Sequence, residues 1–295
     1  MDRRNFMKTS LSAAALTGAS SLAAPAASAA DHPGKPKLRT KIAVSPHWFK
    51  GSHVEIIEQI AAAGFPAFEQ LSCGKWKDKE QVRRRCEELG VACGALSGGM
   101  GTITDWGPND PANHGRFVEG VKKAIANAKA IGSKRLIALS GPALKGVEKE
   151  RQLDALAKAG QLVAPMLEDA DIVMVWECLN VLVNHPGYFL IYSADGADLV
   201  RRTDRPNVKF LFDIYHQQVS EGNLIRNIRA YKNEIGHFHF ADNPGRHEPG
   251  TGEINYRNVF KAIYEMGYRD IVASEFGKTK PTPEILKILV DCDQW

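Results

Sequence analysis

The chain has 295 residues, 44% hydrophobic and 24% charged, with 26 Gly and 15 Pro. These proportions exclude a disordered, collagenous or coiled-coil chain. Formal net charge is only +4, and Arg3, Arg4 and Lys8 of the N-terminal tail contribute to it, so nothing calls for nucleic acid or an anionic membrane as partner. Five cysteines, an odd number without C-x-x-C spacing, argue against a zinc ribbon or a dense disulfide framework and leave any pairing open.

The N-terminus reads as an address. Asp2-Arg3-Arg4-Asn5-Phe6-Met7-Lys8 precedes an Ala-rich apolar stretch from Leu11 to Ala24, then Pro25 and the small-residue site Ala27-Ser28-Ala29. A charged start, a modest apolar segment and an A-x-A end describe a secretory signal peptide, and paired arginines followed by Phe6 and Lys8 resemble the twin-arginine type. The expectation is a signal over residues 1–30, cleaved near Ala29 or Ala30, with the twin-arginine export machinery as partner and a periplasmic or otherwise exported mature chain. The apolar stretch is too weak and too interrupted by Ser and Thr for a stable membrane anchor.

Beyond the tail, apolar β-branched runs recur at 41–46, 67–72, 91–97, 135–140, 172–179, 208–215, 235–241 and 270–276. Amphipathic segments lie between them, with apolar residues at helical spacing such as Val54-Ile57-Ile60-Ala61 and Phe117-Val121-Ile125-Ala128. Such alternation implies a parallel sheet. Eight units in about 260 residues fit a single (β/α)8 TIM barrel over residues 38–295. The rival, a doubly wound dinucleotide-binding sheet, lacks its fingerprint, because Gly98-Gly99-Met100-Gly101 does not give G-x-G-x-x-G.

In such barrels chemistry sits at the C-terminal ends of the strands. Glu177 ends the run Ile172-Val173-Met174-Val175-Trp176, and Asp213 follows Phe210-Leu211-Phe212 with His216 three residues on. The next strand carries His237 and His239 between phenylalanines, and the last presents Glu275. One such carboxylate alone is more often a helix cap or half an ion pair, and either histidine could be a core residue. Four consecutive strands supplying Glu, Asp, His and Glu to one rim are a different matter: that set suits one hard divalent cation, Mg²⁺ or Mn²⁺. Glu69, at the end of the second strand, reads as a supporting group, and Trp48, Trp76 and Trp106 as candidates for an apolar wall.

The stretch from Phe212-Asp213-Ile214-Tyr215-His216 through His237-Phe238-His239-Phe240-Ala241-Asp242 and Asn243-Pro244-Gly245-Arg246-His247-Glu248-Pro249-Gly250-Thr251-Gly252-Glu253 resembles the hydroxypyruvate isomerase family, of the xylose-isomerase-like barrels. The resemblance implies that Glu177, Asp213, His239 and Glu275 ligate the metal, that Glu177 and Glu275 are catalytic, and that His216 and Arg246 bind substrate. It implies an isomerase of a small α-hydroxycarbonyl compound, hydroxypyruvate to tartronate semialdehyde, working by proton transfer through an enediolate. A ketose 3-epimerase or other sugar isomerase is the first alternative, although related ketose epimerases carry an acidic residue where this chain has Val183. Some hydroxypyruvate isomerases have Gln in place of His239. A non-catalytic periplasmic sugar-binding protein is the alternative of another class, disfavoured by two poised glutamates. A homo-oligomer is compatible with all of these readings.

Overall fold

Residues 36–295 of a computed structural model are described; the expected signal peptide, residues 1–30, lies outside them. The chain runs β1 (Lys41–Val44), α1 (His53–Ala62), β2 (Ala67–Phe68), α2 (Lys79–Leu89), β3 (Ala92–Cys93), β4 (Leu96–Ser97), α3 (His114–Ile131) and β5 (Arg135–Ala138). It continues α4 (Lys149–Ala170), β6 (Val173–Glu177), α5 (Ser193–Thr203), β7 (Val208–Asp213), α6 (Ile214–Ser220) and α7 (Leu224–Ala230). The last elements are β8 (Ile235–Phe240), α8 (Tyr256–Glu265), β9 (Ile271–Ser274) and α9 (Thr282–Cys292).

The strands pair in the order β3-β2-β1-β9-β8-β7-β6-β5-β4, all in parallel. The two ends of that order, β3 and β4, are halves of one segment separated by Gly94 and Ala95. The third expected strand is therefore broken in the middle: its first half pairs with β2 and its second with β5, and the sheet closes on itself as a TIM barrel.

Alternation along each strand sorts side chains between two environments. Met174, Trp176, Phe210, Phe212, Phe238 and Phe240 join the large apolar layer packed with the helices, while Ala43, Ala67 and Ala273 form one small interior cluster and Ala95, Ile137, Val175 and Leu211 another. Short alanines on β1, β2 and β9 leave interior volume to longer polar groups. Capping fixes the helices: Ser52 and Glu55 form a reciprocal capping box at the start of α1. Buried Asp293, just past α9, accepts hydrogen bonds from the backbone N–H groups of Arg39 and Thr40, tying the chain's end to the start of β1.

One irregularity matters for the site. Phe210 pairs with Ile235 but Leu211 pairs with His237, so Gly236 is an extra residue in β8. An inserted residue inverts the facing of everything after it. Downstream of Gly236, His237 stands level with Leu211 and His239 level with Asp213, and both imidazoles enter the barrel.

Candidate active site and metal centre

Each acidic side chain reaches the rim because an apolar strand ends under it. Glu177 is the last residue of β6 and Asp213 the last of β7, while Glu275 follows β9 directly. Ligand atoms of Glu177, Asp213, His239 and Glu275 lie within 4.8 Å of one another. His239 Nδ1 is 2.9 Å from Glu275 Oε2 and 3.7 Å from Glu177 Oε1. Glu177, Asp213 and His239 are buried, and Glu275 is partly open to the cavity mouth.

Three carboxylates this close cannot all be ionised without a cation. Burial, and then the neighbouring Glu275, push the Glu177 carboxyl up to about 8. Burial also works to raise Glu275, but His239 and Arg246 outweigh it and hold that group down to about 2. The His239 imidazole is held well above its ordinary value: burial opposes this, and the carboxylates of Glu69 and Glu275 overcome it. These shifts favour the protonated forms of Glu177 and His239, the two groups from which a bound cation would displace protons. The donor set, carboxylate oxygens with one imidazole, fits a hard divalent cation.

Asp213 has two jobs. Its Oδ1 accepts the His216 N–H at 3.0 Å, capping α6, which leaves Oδ2 to face the centre. His216 follows from this cap, since the first turn of α6 carries its ring back over the rim. Asn180 donates its side-chain N–H to His216 Nδ1 at 2.6 Å, so the proton of the neutral ring resides on Nε2. That Nε2 is buried, has no hydrogen-bond partner, and lies 3.7 Å from Asp213 Oδ2. Burial drops the His216 imidazole to about 4, so the ring is neutral at neutral pH.

Arg246 comes from the loop after β8. Buried Asp242 knots this loop by accepting the N–H groups of Asn243, Gly250, Gly252 and Ile254 at 2.7–3.1 Å. Arg246 Nη2 is 3.0 Å from Glu275 Oε2, and the guanidinium lies over the Tyr215 ring, 5.3 Å from its centroid. A cavity of about 350 Å³ opens beside it, lined among others by Ser45, His47, Glu69, Arg246 and Glu275.

The structure thus gathers Glu177, Asp213, His239, Glu275, His216 and Arg246 at one end of the barrel. None of the three tryptophans lines the cavity beside Arg246 itself: Trp48 packs at 5.0 Å behind Phe276, which does line it, Trp76 is stacked on His53 at 3.7 Å, and Trp106 lies beneath the Arg116 guanidinium at 4.0 Å. Asn180 and Tyr215 were not singled out by sequence. Their polar roles come from contacts across loops, and only their nearness to Glu177 and His216 hinted at them. All five cysteines are free thiols, with the Cys73 and Cys93 sulfurs 3.6 Å apart. No helix of the described residues is long and apolar enough to cross a membrane.

The family model described as a xylose isomerase-like TIM barrel matches residues 57–292. The chain is 36% identical over 174 residues to the hydroxypyruvate isomerase of Escherichia coli K12, an alignment covering 59% of this chain and 67% of that protein. It is 28% identical over 226 residues to the 2-oxo-tetronate isomerase of Cupriavidus necator, covering 73% of this chain and 84% of the relative. Among solved structures, one from Brucella melitensis described as an AP endonuclease of family 2 matches with a TM-score of 0.71 at 25% identity, over 84% of this chain and 96% of that one.

Proposed function

The chain belongs to the xylose isomerase-like TIM barrel family, and we propose that within it the protein is a metal-dependent isomerase of a small α-hydroxycarbonyl compound, converting hydroxypyruvate to tartronate semialdehyde. The observation that carries this reading is the convergence of Glu177, Asp213, His239 and Glu275 on one point, with the Arg246 fork beside it. The names of the Escherichia coli and Cupriavidus relatives support the reaction class.

Glu177, Asp213, Glu275 and His239 Nδ1 would hold the cation, Mg²⁺ or Mn²⁺. When bound, it supplies Lewis-acid stabilisation of the negative charge that develops on adjacent substrate oxygens. The remaining work falls to the protein. The planar guanidinium of Arg246 pairs with a carboxylate in a two-pronged contact, fixing which end of the substrate faces the glutamates. His216 Nε2–H, unpartnered in the protein, donates a hydrogen bond to a substrate oxygen and stabilises the enediolate. Glu177 or Glu275 takes a proton from the hydroxymethyl carbon and returns it, from the same face, to the former carbonyl carbon. Proton exchange between the two oxygens completes the shift of the carbonyl.

Glu177 and Glu275 stand on separate strands flanking the centre, which also suits proton return to the opposite face. A ketose 3-epimerase is therefore the alternative; Val183, where related epimerases place an acidic group, is 66% exposed and apolar. A non-catalytic sugar-binding role leaves the two poised glutamates without a purpose. The export route by a twin-arginine signal, and the periplasm as destination, belong to the same proposal and rest on residues 2–30.

A proton NMR time course in D₂O with hydroxypyruvate, after chelator treatment and readdition of Mg²⁺ or Mn²⁺, tests the reaction. Metal-dependent tartronate semialdehyde, abolished in Glu275→Gln, is the expected result. Absence of both turnover and deuterium exchange with metal bound would remove hydroxypyruvate as substrate and favour a ketose.

A further inference from the structure

Glu69 stands across the barrel from β8, just after β2, and is buried with both imidazoles of that strand in reach. Its Oε2 accepts from His237 Nε2 at 2.8 Å and from the Ala95 backbone N–H at 2.6 Å. Its Oε1 is 2.7 Å from His239 Nε2. The third strand segment is shaped for this carboxylate: a Cβ added to Gly94 would come within 2.3 Å of Glu69 Oε2. The break between β3 and β4 and the glycine in it therefore make room for one side chain that the isomerisation does not use.

The consequence concerns His239. Its ring has one nitrogen on each side: Nδ1 towards Glu177 and Glu275, and Nε2 towards Glu69. A ligating imidazole must present a lone pair, so its proton must sit on the opposite nitrogen with an acceptor beside it. In the structure His239 makes its hydrogen bond through Nδ1, to Glu275 at 2.9 Å, and its buried Nε2 has no hydrogen-bond partner among the described residues. When Nδ1 ligates, Glu69 Oε1, 2.7 Å away, is the acceptor within reach of Nε2, and His237 braces the carboxylate from the other side.

We propose that Glu69 is the positioning residue of the metal centre: by taking the Nε2–H of His239 and the Nε2–H of His237 together, it fixes Nδ1 as the donor atom of His239. The inference rests on the metal reading of the four-residue site and adds a residue outside it. The Glu69, His237 and His239 group could itself be read as a second cation site. The 2.8 Å contact from His237 is a direct hydrogen bond, and at 2.8 and 2.7 Å the two imidazoles stand too close to Glu69 to leave room for an ion between the partners.

Isothermal titration of Mn²⁺ into the chelator-treated full chain tests this without turnover. Glu69→Gln keeps the volume but leaves one good acceptor for three donors, and is expected to weaken Mn²⁺ binding about 10–100-fold. In a His239→Gln background the same change should cost no further affinity, because the ring it orients is gone. A purely structural Glu69 would instead lower the melting temperature of the metal-free protein and leave Mn²⁺ affinity unmoved, which overturns the proposal. Two Mn²⁺ per chain overturns it in favour of a second site. No Mn²⁺ binding by the parent removes the metal reading and this inference with it, whereas binding by the parent with Glu69→Gln unchanged removes this inference alone. If Glu69→Gln does not fold, long-range ¹H–¹⁵N spectra of the Mg²⁺-loaded parent decide: the proton of His239 on Nε2 supports the role, and on Nδ1 refutes it.

Discussion

Arg246 and Glu275 meet at 3.0 Å between Nη2 and Oε2, joining the only cationic group of the strand-eight loop that reaches the rim among the described residues to a candidate metal ligand. The pairing differs from the loop-internal partners, Glu248 or Asp242, that sequence proximity would offer. Asp242 is occupied by the loop backbone, and Glu248 by the backbone N–H and hydroxyl of Thr279. Arg246 is thus committed to the site and not to its own loop.

That commitment makes a prediction. Arg246→Lys keeps the charge but loses the planar fork. With a carboxylate-bearing substrate such as hydroxypyruvate, KM should rise about 10–100-fold, as expected when a charge-assisted hydrogen bond is lost. Metal affinity should change little. Equal KM in the two proteins would mean that Arg246 does not touch the substrate carboxylate and would favour an uncharged sugar.

The raised proton affinities of Glu177 and His239 predict how pH acts. Glu177, pushed up to about 8, and His239, held above its ordinary value, both have raised folded-state affinities for protons. Stability contributed by such groups is full at low pH and is lost as pH rises through the folded values. Glu69 and Glu275 are depressed, so their contribution is present above the ordinary carboxylate range and is lost only in acid. The metal-free protein should therefore melt at progressively lower temperature from about pH 6 to 9, and the Mg²⁺-loaded protein should not. Metal binding at pH 7 should release protons, read as a dependence of binding enthalpy on the ionisation enthalpy of the buffer. A buffer-independent enthalpy would contradict the protonated Glu177.

The barrel and the three acidic rim residues were legible because they rest on local signals: repeated strand and helix patterns, and carboxylates that interrupt apolar strands. His239 was distinguishable from His237 only through resemblance, since alternation puts both on the same side of the strand. The structure adds that both enter because Gly236 inserts into β8. The division of 91–97 into β3 and β4 was not legible, because a continuous apolar run conceals that Gly94 must yield space to Glu69 from another strand. Asn180 escaped notice for the same reason: what it does depends on His216, 36 positions away.

Asn180 yields a sharp test of the His216 assignment. Its side-chain N–H at 2.6 Å and its backbone N–H at 3.3 Å both donate to Nδ1 and keep the ring proton on Nε2, pointing into the site. Asn180→Asp replaces the nearer of these donors with a charged acceptor, which outweighs the longer backbone contact and draws the proton to Nδ1, leaving Nε2 with a lone pair facing the substrate oxygen. A loss of about 10²-fold in kcat is expected with the fold intact, comparable to removing one oxyanion donor. Unchanged kcat would assign His216 a structural role.

Gly252 tests whether the strand-eight loop must be held as a unit. A Cβ added there would come within 2.2 Å of the Asn243 carbonyl oxygen and 2.8 Å of Asp242 Oδ1, and neither backbone nor buried carboxylate can retreat. Gly252→Ala therefore has to lift the loop off Asp242, breaking the knot that places Arg246. The cost in stability is about 1–3 kcal/mol by analogy with overpacking, while the effect on substrate is larger, because a displacement of about 1 Å at a binding group costs on the order of 10²-fold. The variant should melt a few degrees lower, bind Mn²⁺ nearly as the parent does, and lose kcat/KM out of proportion to its stability. Loss of Mn²⁺ binding together with kcat/KM would show that the loop holds the metal ligands as well as Arg246, and that its carboxylate-facing role is not separable from them.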